Sequence, residues 1–275
     1  MRNLFNYIDR ASPIHSLTGA TKLTCLLLWS FAAMGTFDTR VLILLSVLSL
    51  VLFRLSHIGL RDVSFMLGFT AMFMVLNNVL VFIFSPQHGV ELYGTCHVLF
   101  RIAGPYVVTA EQLFYHLNLV LKYTAMIPIV LLFVCTTNPS EFAASLNRIG
   151  VSYRVSYSVS LALRYIPDIQ REYREISQAQ QARGIEMSKK TTLVRRLKSA
   201  SAILIPLILS SMDRIEVISN AMELRGFGKH KKRTWYMGRP FTAADFLSMG
   251  GCALLLGAAL TLNFIHGTRF WNPFV

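Results

Sequence analysis

Long apolar runs separated by short polar breaks dominate the chain. The runs occupy about 23–37, 41–56, 63–85, 110–137 and 243–266. A helix needs roughly 20 residues to cross the hydrocarbon layer of a bilayer, with about 17 at the short end. The pattern therefore predicts an all-α polytopic membrane protein with about five transmembrane helices. The first two runs are separated only by Asp38, Thr39 and Arg40, so they should form a tight helical hairpin.

Three polar side chains within these runs bear on how the runs are interpreted. Lys122 lies in the fourth run, where a charge is costly unless it faces protein or water. This run is therefore predicted either as one span or as a surface helix over 106–120 followed by a shorter span. Asn77 and Asn78 lie in the third run, where we expect interhelical hydrogen bonds, with contact to a partner or substrate as the alternative.

Between 138 and 240 the pattern changes to that of amphipathic helices. One helix is predicted to start at Asn138 to Glu141, a second covers about 158–182 with a bend at Pro167, and a third covers about 192–224. The segment 202–209 contains Pro206 and is too short to span a bilayer. We expect a kinked helix at the membrane surface there, with a re-entrant segment as the alternative.

The third amphipathic helix carries apolar and small side chains at alternating spacings of four and three residues, which predicts a seam for packing against another helix. The predicted helix-packing seam consists of Leu204, Ile208, Ile215, Ile218 and Met222, extended by Leu197, Ser201 and Ser211.

The positive charge is concentrated in this same region. The chain has 275 residues and a net charge of +13, and 18 of its 27 Lys and Arg lie between Arg148 and Arg239. Cytoplasmic loops of membrane proteins carry such an excess. The sequence therefore predicts a membrane domain of four spans over 1–137, a cytoplasmic helical domain over 138–240, and a final transmembrane helix with a short tail over 241–275. The N-terminus is predicted to be cytoplasmic too.

The run KHKKR at 229–233 is interpreted as an anchor near anionic lipid headgroups rather than as a nucleic-acid site. Motifs for catalysis are missing from the sequence. It contains no GxxxxGK[ST] loop, no HExxH and no GxSxG, and the histidines and cysteines show no ligand spacing. We therefore expect no catalytic residue, no metal site, no cofactor bound by this chain and no nucleic-acid partner.

One sequence typical of a helix ending occurs twice in the chain. ISQAQQARGI at 176–185 returns as ISNAMELRGF at 218–227. Each copy predicts the last two turns of a helix, with Arg where the helix dipole favours a cation and Gly where a left-handed backbone ends the helix. Two similar tips imply two similar receptors, and a guanidinium suits a groove that supplies a carboxylate.

The stretches 136–184 and 204–228 resemble the transmembrane T component of energy-coupling factor (ECF) transporters, which import vitamins and transition-metal ions in prokaryotes. The resemblance covers nearly the whole chain and rests on two signatures, Ala182-Arg183-Gly184 and Leu224-Arg225-Gly226. It implies a non-catalytic scaffold in a prokaryotic cell membrane, whose long cytoplasmic coupling helices dock one tip on each of two ATP-binding-cassette ATPase subunits. By the same resemblance, the membrane part holds a substrate-binding S component, ATP and Mg are bound by the ATPases, and Arg183 and Arg225 pair with acids there.

Leu224 stands where alanine is common in that family, which points to two grooves of different size and leaves a homodimeric or a heterodimeric ATPase pair open. Two other classes of function are alternatives. A self-contained secondary transporter would normally show inverted repeats and ionisable residues in broken spans, and a membrane-embedded enzyme would show a cluster of acids or histidines at its cytoplasmic mouth. The internal repeat found here is the one in the polar region, which favours the scaffold.

Overall fold

The computed structural model of the protein describes residues 10, 12–103, 106–185, 193–230, 234–236, 238–265 and 270–273. Ten helices and two strands lie within these ranges. The first helices are α1 (Pro13–Ser16), α2 (Gly19–Gly35), α3 (Thr39–Leu55), α4 (Leu60–Phe84) and α5 (His88–Tyr93). They are followed by β1 (Val98–Ala103), β2 (Tyr106–Thr109), α6 (Ala110–Thr136), α7 (Pro139–Arg148), α8 (Tyr153–Ala182), α9 (Leu193–Leu224) and α10 (Ala243–Ile265).

The chain forms two compact units. The membrane unit comprises Met1–Asn138 with Arg239–Val275, and the inserted unit comprises Pro139–Gly238. These bounds fall within about two residues of the divisions expected after 137 and 240. The cytoplasmic location of the inserted unit stays a prediction.

Helices cover all five apolar runs. Among the described residues, α4, α6 and α10 are long and apolar enough to cross a membrane, with 25, 27 and 23 residues. The helices α2 and α3 have 17 residues each, which is the short end of the usual range. The hairpin between them is as tight as predicted, because Asp38 is the N-cap of α3 and accepts a hydrogen bond from the Arg40 N–H at 2.9 Å.

The first and last of these helices, α2 and α10, run parallel in a constant register. Thr18 at the start of α2 donates to Asp245, and Thr36 at its end donates to Asn263, and each pair is separated by 227 positions. The thiols of Cys25 and Cys252, also 227 positions apart, face each other between these two contacts. The helices from the two ends of the membrane unit's sequence, α2 and α10, therefore pack side by side in parallel.

By contrast, α6 runs antiparallel to α2, and each helix carries a lysine that caps the other. The Lys22 ammonium donates to the Thr136 carbonyl at 2.9 Å, and the Lys122 ammonium donates to the Met34 carbonyl at 3.3 Å. Both acceptors lie in the last turn of their helix, where carbonyls lack intrahelical partners and the dipole favours a cation. Lys122 also lies 3.2 Å from the ring centroid of Phe37.

These contacts explain how a lysine is accommodated inside the fourth apolar run. Because α6 is one helix from Ala110 to Thr136, the alternative of a surface helix over 106–120 is wrong. The same contacts place the start of α2, the end of α6 and the start of α10 at one end of the membrane unit. The two connections to the inserted unit, after α6 and before α10, therefore start from the end of the membrane unit at which α2 begins.

The core of the membrane unit forms where α2, α3, α6 and α10 meet. Alanines at the contacts let the helices approach closely, as small residues do in membrane bundles. The buried cluster consists of Trp29, Ala32, Ala33, Val41, Leu45, Ala125, Ile129 and Ala259. The Trp29 indole N–H adds a hydrogen bond to the Ala125 carbonyl at 3.0 Å.

The opposite end of the membrane unit holds a small antiparallel hairpin of β1 and β2, which the helical periodicity did not predict. Glu111 at the start of α6 is fully buried and anchors this hairpin, because it accepts hydrogen bonds from the His97 backbone N–H at 3.0 Å and contacts the His97 ring at 2.7 Å. Asn78 contacts the His116 ring at 2.9 Å, so the predicted interhelical bond is confirmed for Asn78.

Candidate docking site

The inserted unit is built around an antiparallel pair of long helices, α8 and α9. Near the end of α8, Gln180 bonds to Ala202 in the first half of α9 at 3.0 Å. In the middle, Glu172 bonds to Arg214 at 2.7 Å. At the start of α8, the Tyr157 ring lies 4.9 Å from the ring of Phe227, which follows α9.

The first copy of the repeated ending closes α8. The helix ends at Ala182, and Gly184 has a φ of +85°. The Gly184 N–H donates to the Gln181 carbonyl at 2.9 Å, and the Ile185 N–H donates to the Gln180 carbonyl at 3.1 Å. These two bonds form a Schellman motif, in which a left-handed residue turns the chain back onto the last helical turn.

The second copy closes α9 with the same bonds. The helix ends at Leu224, and Gly226 has a φ of +66°. The Gly226 N–H donates to the Glu223 carbonyl at 2.8 Å, and the Phe227 N–H donates to the Met222 carbonyl at 2.9 Å. The prediction that both copies end a helix at a left-handed glycine is confirmed. Their role in docking stays a prediction.

The two signatures present their side chains to solvent. Ala182, Arg183 and Gly184 are exposed. In the second signature Arg225 is exposed, Leu224 is 91% exposed, and Gly226 is half-buried. The apolar residue after each glycine, Ile185 or Phe227, is instead half-buried. Each tip therefore exposes an arginine, while the half-buried apolar residue after the glycine fixes the backbone of the turn.

The antiparallel arrangement puts the two tips at opposite ends of the helix pair. Because Phe227 lies against Tyr157, the offset between the tips is the stretch of α8 from about 157 to 183. At 1.5 Å of rise per residue, this stretch is roughly 40 Å long. One helix pair thus carries two equivalent tips, one at each end.

A charged contact holds the middle of the pair together. The Glu172 carboxylate accepts from the Arg214 guanidinium at 2.7 Å and also from the Ser210 hydroxyl. The side chains of Glu172 and Arg214 are only 16% and 35% exposed, and the guanidinium carbon lies 6.0 Å from the Tyr165 ring centroid. Sequence reasoning missed this pair because periodicity places each charge on a helix face without saying which faces meet.

The structure places only part of the predicted helix-packing seam against α8, and the rest of the seam stays a prediction. Among the described side chains of α9, the most deeply buried apolar ones are Ile203 and Leu207, one position before the predicted Leu204 and Ile208. The side chains of Leu204, Ile208 and Ile215 are 48%, 56% and 64% exposed, so they do not hold α9 to α8. Both stripes are apolar, and spacing alone could not decide between them.

The remaining seam residues, Ile218 and Met222, are half-buried and line an open groove of about 550 Å³ between α8 and α9. Its α8 wall consists of Leu161, Tyr165 and Ile169, and its α9 wall adds Ser211, Arg214, Ile215, Ser219, Glu223 and the following Phe227. The α9 helix runs without interruption through 202–209. Its position at the membrane surface, and the re-entrant alternative, stay predictions.

Other candidate chemistry is sparse in the described part of the chain. No group of three or more His, Cys, Asp or Glu side chains there is placed to hold a metal ion. Within the basic run, Lys229 and His230 are exposed, and 231–233 lie outside the described residues. Two acids of the membrane unit, Glu111 and Asp245, are fully buried. Glu111 accepts from the His97 backbone before β1, and Asp245 accepts from the Thr242 backbone before α10.

Comparison with known proteins gives consistent matches over most of the chain. The family model CbiQ, described as cobalt transport protein, matches residues 10–236. Similar proteins include the energy-coupling factor transporter transmembrane proteins EcfT of Bacillus selenitireducens and Staphylococcus aureus. The first is 27% identical over 270 residues, covering 95% of this chain and 97% of the relative. The second is 28% identical over 260 residues, covering 88% and 90%. The EcfT protein of Streptococcus equi subsp. equi is 28% identical over 261 residues, covering 90% and 91%.

Proposed function

Since the chain belongs to the CbiQ family and is a transmembrane energy-coupling component of an ECF transporter, we propose that its two Arg-Gly tips dock one each on two ATP-binding-cassette ATPase subunits. It is a membrane subunit of the transporter and not itself a catalyst. ATP and Mg are bound by the partner subunits, and their closure on ATP moves the tips. The inserted unit passes that movement to the membrane unit.

The observation that supports this proposal most strongly is the duplicated Schellman ending. Arg183 and Arg225 both stand between the last helical residue and a left-handed glycine, so the backbone presents both side chains in the same way. A pair of ATPases offers two equivalent grooves, and a guanidinium can bind a groove carboxylate through two parallel hydrogen bonds. Two matched tips on one rigid helix pair are suited to such a receptor.

The membrane unit supplies the second half of the proposed scaffold. Its apolar helices embed it in the cell membrane of a prokaryote, where it holds one membrane-embedded S component that binds a vitamin or a transition-metal ion. The excess of Lys and Arg in the inserted unit assigns that unit to the cytoplasm. The start of α2 lies at the same end of the membrane unit as Thr136, which supports a cytoplasmic N-terminus as part of this proposal.

The docking role is tested by co-purification of the tagged chain with its candidate ATPases from membranes. We compare wild type with Arg183→Glu, Arg225→Glu and the double variant, and use Arg174→Glu as a matched control, because Arg174 is an exposed arginine of α8 away from its tip. Each single tip variant should lower ATPase recovery, and the double variant should abolish it, while Arg174→Glu stays near wild type. Undiminished recovery with the double variant would overturn the proposal.

A further inference from the structure

A proline inside α9 leaves one backbone acceptor in need of a partner. Pro206 has no N–H, so it cannot donate to the carbonyl of Ala202 four residues earlier. Helices tolerate such a proline where a neighbouring side chain satisfies the carbonyl that has been released.

Gln180 of α8 supplies that side chain. Its amide Nε2 donates to the Ala202 carbonyl at 3.0 Å. Its own backbone carbonyl accepts the Ile185 N–H that closes the first tip, at 3.1 Å. Gln180 therefore takes part in two sites. Its backbone closes the first tip, and its side chain serves the proline site of α9, the helix that ends in the second tip.

The membrane unit uses the same arrangement at another proline, which indicates that it is a recurring device. Pro128 lies inside α6, and the carbonyl of Thr124, four residues earlier, accepts from the Ser49 hydroxyl of α3 at 3.1 Å. Ser49 lies in the middle of α3, however, whereas Gln180 lies in the turn that forms a docking tip.

We propose that Gln180 is a positioning residue that links the first docking tip to the Pro206 site of α9, so that a displacement of the first tip is passed to the helix carrying the second. This inference rests on the proposed function. The Glu172 contact with Arg214 provides a second attachment about two turns away along α8. With both attachments in place, α8 and α9 move as a pair, and with the Gln180 attachment removed the first tip moves without α9.

The contact itself is tested by a double-mutant cycle on thermal unfolding of the full chain in detergent. Gln180→Ala should lower the unfolding temperature by about 2–4 °C, as expected for the loss of one partly buried hydrogen bond in a chain of this size. In a Pro206→Ala background the restored N–H of residue 206 satisfies Ala202, so Gln180→Ala should have little effect. Equal effects in both backgrounds, or none in either, would show that Gln180 does not serve the proline site.

Gln181→Ala is the matched control for the cycle. Gln181 is the next residue along α8, and its side chain bonds to Ser177 of its own helix at 3.2 Å. Its replacement should behave alike in both backgrounds.

Transmission between the tips is tested on the complex with its ATPases. Spin labels at Gln178→Cys and Asn220→Cys, two exposed positions near the two tips, report their distance in a variant whose native cysteines are replaced by serine. Adding a non-hydrolysable ATP analogue should leave the distance distribution nearly unchanged with wild-type Gln180 and with Gln181→Ala, because α8 and α9 then move as a pair. With Gln180→Ala the analogue should shift or broaden the distribution, while ATPase recovery is unchanged.

The outcomes separate the two proposals. A distance distribution that responds to the analogue in the same way in wild type and in Gln180→Ala overturns the positioning role and leaves docking intact. ATPases that do not co-purify with the wild-type chain overturn the proposed function, and the positioning role falls with it.

Discussion

Asp245 accepts a hydrogen bond from the backbone N–H of Thr18 at 2.8 Å across 227 positions of sequence. The same carboxylate accepts from the backbone N–H and the hydroxyl of Thr242, both at 2.7 Å. Thr18 is the N-cap of α2, and Thr242 directly precedes α10. One buried carboxylate therefore completes the first turns of two parallel helices, whose dipoles both favour a negative charge at this end.

Replacing Asp245 by asparagine should destabilise the membrane unit. The amide keeps the shape of the carboxylate but removes the charge and turns an N–H₂ group toward backbone donors, which should cost about 2–4 kcal/mol of unfolding free energy. The change is measured by thermal unfolding of the purified chain in detergent. Asp213→Asn, at an exposed position of α9, should leave unfolding unchanged, and an equal loss in both variants would contradict a special role for Asp245.

The parallel register of α2 and α10 predicts a specific cross-link. In a chain that retains only Cys25 and Cys252, a short bifunctional thiol reagent should join the two thiols, because they face each other across the helix pair. The link is detected as the loss of maleimide labelling at both cysteines after denaturation. A chain that retains only Cys25 and Cys96 should give no intramolecular link, and the reverse result would refute the register.

The Glu172 contact with Arg214 should contribute measurably to the stability of the helix pair. Since both side chains are largely buried, a double-mutant cycle with Glu172→Gln and Arg214→Met should give a coupling free energy of about 1–2 kcal/mol. Asp168 and Arg171 form the comparison pair, because they are 4.0 Å apart and their side chains are 42% and 73% exposed. Their coupling should be below about 0.5 kcal/mol, and similar values for both pairs would remove the reason for singling out Glu172.

The two tip glycines should matter for their backbone conformation. No atom lies within 4 Å of a β-carbon built at Gly184, so the cost of Gly184→Ala comes from its left-handed φ, about 1–2 kcal/mol. Gly184→Ala and Gly226→Ala should each loosen a tip and reduce recovery of the candidate ATPases. Gly250→Ala, at a helical glycine of α10 with open space around it, is the control and should leave recovery unchanged. Full recovery in both tip variants would show that docking does not depend on the Schellman turn.

Local signals in the sequence predicted the helices and their ends. The apolar runs predicted the five long helices of the membrane unit to within a few residues, because run length is set by the thickness of the bilayer. The glycines at 184 and 226 predicted the left-handed endings, because few other residues accept that conformation.

Contacts between distant parts of the chain could not be read in the same way. Nothing near Asp245 in sequence points to Thr18, and the pairing of Lys22 with Thr136 depends on how two helices lie side by side. The apolar stripe predicted for α9 lies one residue away from the buried stripe, because Ile203 and Leu204 are equally apolar. The hairpin of β1 and β2 was missed, because its strands of six and four residues are too short for a clear alternating pattern.

The shared cap at Asp245 also bears on the order in which the protein is made. The backbone N–H of Thr18 leaves the ribosome early, whereas the carboxylate that it bonds to is synthesised 227 residues later. Until then the nascent chain must keep α2 in the bilayer or the insertion machinery without its final neighbour. A translation product that stops before α10 lacks both the cap and the Asn263 contact. It is exposed to the cell's proteases while the first turn of its α2 is incompletely capped.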